Sequence, residues 1–283
     1  MARRPAALAF LMAAFMAATA AARPARIVSL DLCTDQLVLA LAEPGQIAAV
    51  SWLARDCALS FRCAQAGDVP VHYGTGEELV AASADLVVVG RHAARGAVSV
   101  ARARGLPVLE LDSPRDLEEM RAQLLRTGEA LGQPAKAAAM AAELDTRLAG
   151  LPPPPAPAER PVAVLYQANG TTVGPGTLVD AVFERAGLAN LAGRAGGAAY
   201  GYLPLELLVR HAPDLLVVEK EDAWPPSLAE QMIRHPALGA LFGPDRRVVV
   251  PQRLWICGGM GNLEAVERLA QARHAVAETV DGR

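Results

Sequence analysis

Aromatic side chains are scarce in this sequence. Five Phe, three Trp and four Tyr make up 4% of 283 residues, so each Trp and Tyr is a candidate for a special task. Cysteine is confined to Cys33, Cys57, Cys63 and Cys257, without the CxxC or Cys/His spacing that closes a zinc site. The same scatter excludes the spacing of an iron–sulfur cluster. Histidine occurs five times, at 72, 92, 211, 235 and 274, with no histidine-rich loop. That leaves His72 and His92 with Asp31 as the best donors for a bare transition-metal ion, a poor set for a dedicated carrier. Neither charge sign dominates: 27 Lys+Arg against 30 Asp+Glu give a formal net charge of −3, which holds no attraction for nucleic acid. Signatures of nucleotide and acyl chemistry are missing too, with no GxSxG elbow, P-loop or GxGxxG turn. Gly258-Gly-Met-Gly261 precedes a helix but lacks a lysine, and reads as a pliant loop.

What is present begins at the N-terminus. Arg3 and Arg4 precede an apolar, alanine-rich run from Pro5 to about Ala18, and small residues follow at Ala18, Ala20 and Ala22. This is the order of a secretory signal, and the run is shorter than the roughly 20 residues of a membrane span. The expectation is a chain cleaved near Ala20 or Ala22 and released into the periplasm, with no cysteine placed for a lipid anchor. Losing both arginines leaves 25 basic against 30 acidic residues, a charge of −5. An oxidising compartment permits disulfides. Cys57 and Cys63 are close enough to close a small loop; Cys33 with either is also open, and Cys33 and Cys257 read equally as small buried residues.

After the signal, apolar runs alternate with amphipathic stretches. Strands are expected at 26–30, 47–51, 85–89 and 107–111, with helices from Thr34 (as N-cap) to Leu41, near 77–82 and over 95–104. Strands alternating with helices imply a parallel sheet with right-handed crossovers. From Ser113 to Gly150 helix formers dominate, broken at Gly132-Gln-Pro134, and the second helix runs from Pro134 to about Leu148. Leu151-Pro-Pro-Pro-Pro-Ala-Pro157 then marks a stiff boundary. The alternation resumes with strands at 162–166, 214–218 and 247–250 and helices at 177–185, 205–210 and from about Asn262. The expected division is a signal at 1–22, an α/β lobe at 23–115, a helical and proline-rich linker at 116–158 and a second α/β lobe at 159–283. Residues 77–89 align without gaps on 206–218, each with a glutamate opening a helix and an Asp-Leu pair opening a strand.

Four stretches carry a family resemblance: Arg26-Ile-Val-Ser-Leu-Asp31 with its helix, Glu77 to Val89, Gly176 to Asn190, and Leu205 to Val218. In order and spacing they resemble the substrate-binding proteins of iron-siderophore and cobalamin ABC importers. The resemblance implies two doubly wound parallel-sheet lobes joined by a long α-helix, with the ligand in a cleft between them at the carboxyl ends of the strands. It implies a monomeric carrier, without cofactor or catalytic residues, that hands a ferric siderophore or cobalamin to a permease dimer and its ATPase. Heme or a bare metal ion are the alternatives, and an exported enzyme on the same fold is a remote one.

The resemblance also assigns roles to residues. In cobalamin-binding members one surface glutamate per lobe docks on permease arginines, and Glu77 and Glu206 occupy those positions, with Glu78 as a neighbour able to substitute. A glutamate in a first helical turn also suits the helix dipole, worth about 0.3–1 kcal/mol. Candidate ligand contacts on strand-end loops are Trp52, Tyr73, Tyr166, Tyr200 and Trp255, whose faces suit a large flat guest. Arg55 and Arg91 are candidates to pair with ligand oxygens. Trp224 and Arg253 fall on comparable loops.

Overall fold

A computed structural model describes residues 23–194, 196–220 and 231–281. The signal segment and Trp224 lie outside the described residues.

The N-terminal lobe is built from β1 (Ile27–Ser29), α1 (Leu32–Leu41), β2 (Ile47–Ser51), β3 (Val71–His72), α2 (Gly76–Ala81), β4 (Leu86–Gly90), α3 (Arg95–Ala103) and β5 (Val108–Leu111). Its sheet is parallel throughout, in the order β3-β2-β1-β4-β5. Strands such as Leu86-Val-Val-Val89 are apolar at consecutive positions because both faces are covered. Ile27, Leu86 and Val88 pack under α1, while Val28, Val87 and Val89 pack on α2 and α3. The N-cap of α1 is Asp31, not Thr34: its Oδ1 accepts from the amides of Cys33 and Thr34. Thr34 is buried and its hydroxyl meets Ser29 Oγ at 2.8 Å.

Two helices link the lobes, α4 (Leu117–Ala130) and α5 (Pro134–Gly150). Gly132, at φ 69°, lets the chain turn between them, and Pro134 starts α5 where its missing N–H has no helical partner. Along α5, Ala137 and Ala141 belong to the N-terminal core, whereas Leu144 packs with Leu178 and Leu263 of the second lobe. Burying a leucine contributes about 1.5–3 kcal/mol, more than the 0.2–1 kcal/mol typical of a half-exposed ion pair such as Arg147–Glu267. Packing therefore seats the rod on both lobes, and the ion pair is secondary.

The C-terminal lobe comprises β6 (Val162–Leu165), β7 (Thr171–Val173), α6 (Leu178–Ala186), β8 (Ala189–Asn190), α7 (Leu191–Arg194), β9 (Tyr200–Tyr202), α8 (Leu205–His211), β10 (Leu215–Val218), α9 (Pro236–Leu241), β11 (Arg247–Val249) and α10 (Met260–Asp281). A second parallel sheet runs β11-β10-β6-β8, and β7 and β9 form a separate antiparallel pair that the sequence pattern does not announce. One sheet face meets α6 and α10 through Phe183 and Leu269; the other meets α8 and α9 through Leu208 and Leu238.

The internal sequence echo has a structural counterpart. Ser83 (φ 51°) and Ala212 (φ 41°), at matching positions, take the left-handed conformation that ends each helix before its strand. The matching aspartates do the same work: Asp85 accepts from the amides of Ala25 and Arg26 before β1, and Asp214 from that of Val162 at β6. Each lobe thus closes its helix-to-strand unit by the same backbone capture.

Candidate ligand cleft

Between the lobes lies a cleft of about 1240 Å³, larger than the roughly 300–1,000 Å³ that holds drug-sized ligands. It opens at the carboxyl ends of β1, β4 and β5 on one side and of β6 and β10 on the other, where open α/β sheets leave room.

The two walls differ in chemistry. The N-terminal wall carries Arg91 and His92 after β4, Asp112 after β5, Arg115 just before α4, and Glu119 and Arg126 from α4. Arg91 holds Asp112 through two hydrogen bonds, the Nη2–Oδ2 one at 2.6 Å, which pulls the Asp112 pKa down. Arg115 is likewise committed to Glu119. Arg126 and His92 make no ion pair with a described residue, so they are the basic side chains left to meet a ligand. Asp31 is spent on structure: besides capping α1, its Oδ2 accepts from Gly90 N–H at 2.6 Å.

The facing wall is apolar and aromatic, with Val173, Leu178, Val179, Tyr200 and Trp255. One carboxylate interrupts it. Glu219, at the end of β10, accepts from the Trp255 indole at 3.1 Å, and burial raises its pKa. The loop after β11 continues from Trp255 to Cys257, which is bonded to Cys33 in the first turn of α1. This pairing replaces the expectation of two separate buried thiols, and of Cys33 joined to Cys57 or Cys63. Cys57 and Cys63 are bonded to each other, and no free cysteine remains.

The cleft therefore unites Arg91, Tyr200 and Trp255 from the sequence-derived set. Trp52 and Tyr73 do not line it. They stack on each other at 6.4 Å between ring centroids, exposed beyond the ends of β2 and β3, the far edge of the sheet. Arg55 is a structural residue whose guanidinium donates to the carbonyls of Ala66 and Val69. Tyr166 is fully buried in the core with Leu208 and Val218, its hydroxyl unpartnered and its pKa pushed up to about 12 by burial. It leaves the ligand set, because the strand end turns its ring beneath the sheet rather than into the cleft. His72 is structural as well: Gly74 N–H donates to Nδ1 at 3.0 Å, so Nε2–H donates to Ser29 O at 2.6 Å.

Residues that sequence reasoning missed are Asp112, Arg126, Gln167 and Glu219. Glu219 had a signal, a charged residue directly after four buried apolar ones; Arg126 had none, since its helix is read as a linker. Among the described residues no three His, Cys, Asp or Glu side chains converge to hold a metal ion, and no helix is long and apolar enough to cross a membrane.

Glu77 and Glu206 are each the second residue of their helix, α2 and α8, nine residues before the first of β4 and β10. Both are exposed and neither forms an ion pair with a described residue. Glu78 does not share this freedom. It closes a capping box with Thr75 and also accepts from Tyr73 N–H, contacts that lower its pKa.

A family model described as periplasmic binding protein matches residues 27–241. Curated relatives include a cobalamin-binding protein of Halobacterium salinarum, 26% identical over 205 residues; the match takes in 71% of this chain and 55% of that one, so the chain spans about half the length of that relative. Among solved structures, the fold is shared with the periplasmic heme-binding protein HutB of Vibrio cholerae at TM-score 0.70, 16% identity and coverage of 87% of this chain and 97% of that one. It is shared as well with the periplasmic vitamin B12-binding protein BtuF of the same organism, at TM-score 0.65, 16% identity and coverage of 90% and 99%. An Fe3+-hydroxamate transport protein from Saccharomonospora viridis matches at TM-score 0.65 and 18% identity, covering 88% and 93%.

Proposed function

The chain belongs to the periplasmic binding protein family, and we propose that it is an exported, monomeric carrier that captures a metal chelate, a ferric siderophore or cobalamin, for an ABC importer. The carrying observation is the cleft: about 1240 Å³ between two lobes, one wall of charged groups and the opposite wall of aromatic and aliphatic ones. A bulky chelate has both kinds of surface, with oxygen-bearing edges for Arg126 and His92 and apolar faces for Tyr200 and Trp255. Such a carrier works in the periplasm after loss of residues 1–22. Glu77 and Glu206, one exposed on each lobe, serve as docking charges for permease arginines, where rim pairs set register and speed encounter.

Heme is a second reading with its own support. His92 and Tyr200 line the same cleft and are residue types that ligate heme iron. Titrating the purified mature protein with cyanocobalamin, several ferric siderophores and hemin, while following tryptophan emission, decides between them. Tight, saturable binding of one chelate is expected. Binding of free Zn²⁺ or Mn²⁺ alone would overturn the proposal.

A further inference from the structure

Cys33 belongs to the first turn of α1 in the N-terminal lobe, and Cys257 to the loop before α10 in the C-terminal lobe. The bond between them spans 224 residues of sequence, with Cα atoms 5.0 Å apart, and both residues line the cleft. The lobes are therefore joined covalently at the wall of the ligand space, in addition to the α4–α5 linker.

The surroundings of the bond are closely fitted. A Cβ on Gly258, next to Cys257, would stand 2.5 Å from Pro114 Cγ and 3.4 Å from Met120 Cγ, so only glycine lets this loop press against the linker. On the other flank, the loop closed by Cys57–Cys63 carries Phe61 onto the C-terminal core cluster that contains Leu254 and Trp255. That loop is itself fastened to α1: Arg62 N–H donates to Gln36 Oε1, and Gln36 Nε2 to Ser60 Oγ, each at 3.0 Å. The space lined by Gln36, Leu37, Phe61, Met140 and Cys257 is about 20 Å³, room for a single water. Separating the lobes at this point would require breaking a covalent bond and withdrawing Phe61.

We propose that the Cys33–Cys257 bond is a positioning element of the binding site. It fixes the gap between the lobes and holds Trp255, two residues before Cys257, with its partner Glu219 at the ligand face. A preorganised gap spares the ligand the cost of ordering the walls on binding. The part of this proposal that concerns the ligand rests on the cleft being the ligand site; the part that concerns the lobes does not.

The test uses the full mature protein. Peptide mapping without reductant is expected to find 33 joined to 257, and a 33–57 or 33–63 link would overturn the proposal. In C33S/C257S, with Cys57–Cys63 intact, hydrogen exchange of amides 31–37 and 253–259 is expected to accelerate at least tenfold. Dissociation of whichever of hemin, cyanocobalamin or ferrichrome the wild type binds is expected to accelerate by a similar factor. Unchanged exchange and dissociation would refute the positioning role. Should the serine pair fail to fold, the same amides are followed in folded wild type as a phosphine opens the bond, with mass mapping to identify the bond cut; exchange that stays slow after 33–257 is cleaved is again a refutation. If the wild type binds none of the three chelates, the carrier reading fails, while the exchange result still decides whether the bond fixes the lobes.

Discussion

The Trp255 indole N–H donates to Glu219 Oε1 at 3.1 Å, tying the loop before α10 to the end of β10 inside the cleft. Burial raises the Glu219 pKa, and hydrogen bonds from Trp255 and Gln167 only partly oppose it. Trp255 emission should therefore change with a midpoint above the usual carboxylate range near 4. A pH titration of fluorescence checks this: E219Q should abolish the transition, and so should W255F. A transition that survives in both variants would detach it from this pair.

Asp35 offers a second pH effect, on stability. Desolvation by burial, stronger than the hydrogen bonds from Ser29 and Ser51, raises its pKa from 3.8 to about 7. Between these values the folded state holds a proton that the unfolded state has released. Stability from this group is thus full below about pH 4, falls as pH rises, and is gone above about pH 7. The cost of ionising it in place is a few kcal/mol at most. D35N mimics the neutral acid beside Ser51, so its melting temperature should exceed that of wild type by more at pH 8 than at pH 5. Calorimetry at the two pH values measures the gap; a constant gap would contradict the assignment.

The two disulfides should differ in their contribution to stability. Chain-entropy arguments give about 5 kcal/mol for a separation of 224 residues and about 2 kcal/mol for one of 6, as upper values. Urea unfolding of C33S/C257S should accordingly show the larger loss, and of C57S/C63S the smaller. The reverse order would mean that the short loop matters mainly through Phe61 packing.

Docking and capture should separate genetically. E77A/E206A is expected to abolish chelate-dependent uptake by the transporter while leaving ligand affinity within twofold, measured by uptake in cells and by titration of the purified protein. Restoration by E78 is not expected, because its carboxylate is held by Thr75 and Tyr73. Normal uptake in the double variant would remove both residues from the interface.

Much of the fold is legible in the sequence because parallel strands buried on both faces must be apolar at consecutive positions. Leu86 to Val89 and Leu215 to Val218 satisfy that rule and stand out. Short edge elements do not: Val71–His72 and Ala189–Asn190 each span two residues. The β7–β9 pair brings Thr171 to Tyr202 across two helices and a strand, and no local pattern records it. For the site, an aromatic at a strand end marks a candidate but not its direction. Tyr200 and Tyr166 look alike in sequence, yet one is 75% exposed and the other 0%. The cross-lobe disulfide was illegible for a related reason, since proximity of residues 33 and 257 arises only when both lobes are folded against the linker.

The unlike walls of the cleft carry a consequence for traffic through it. A guest with one oxygen-rich side and one greasy side can lodge in a single orientation, with the former toward Arg126 and the latter toward Trp255. With Glu77 and Glu206 docking as proposed, every cargo molecule would arrive at the transporter in the same pose. Delivery would then have a fixed handedness, and a receiving pore need recognise only one side of its freight.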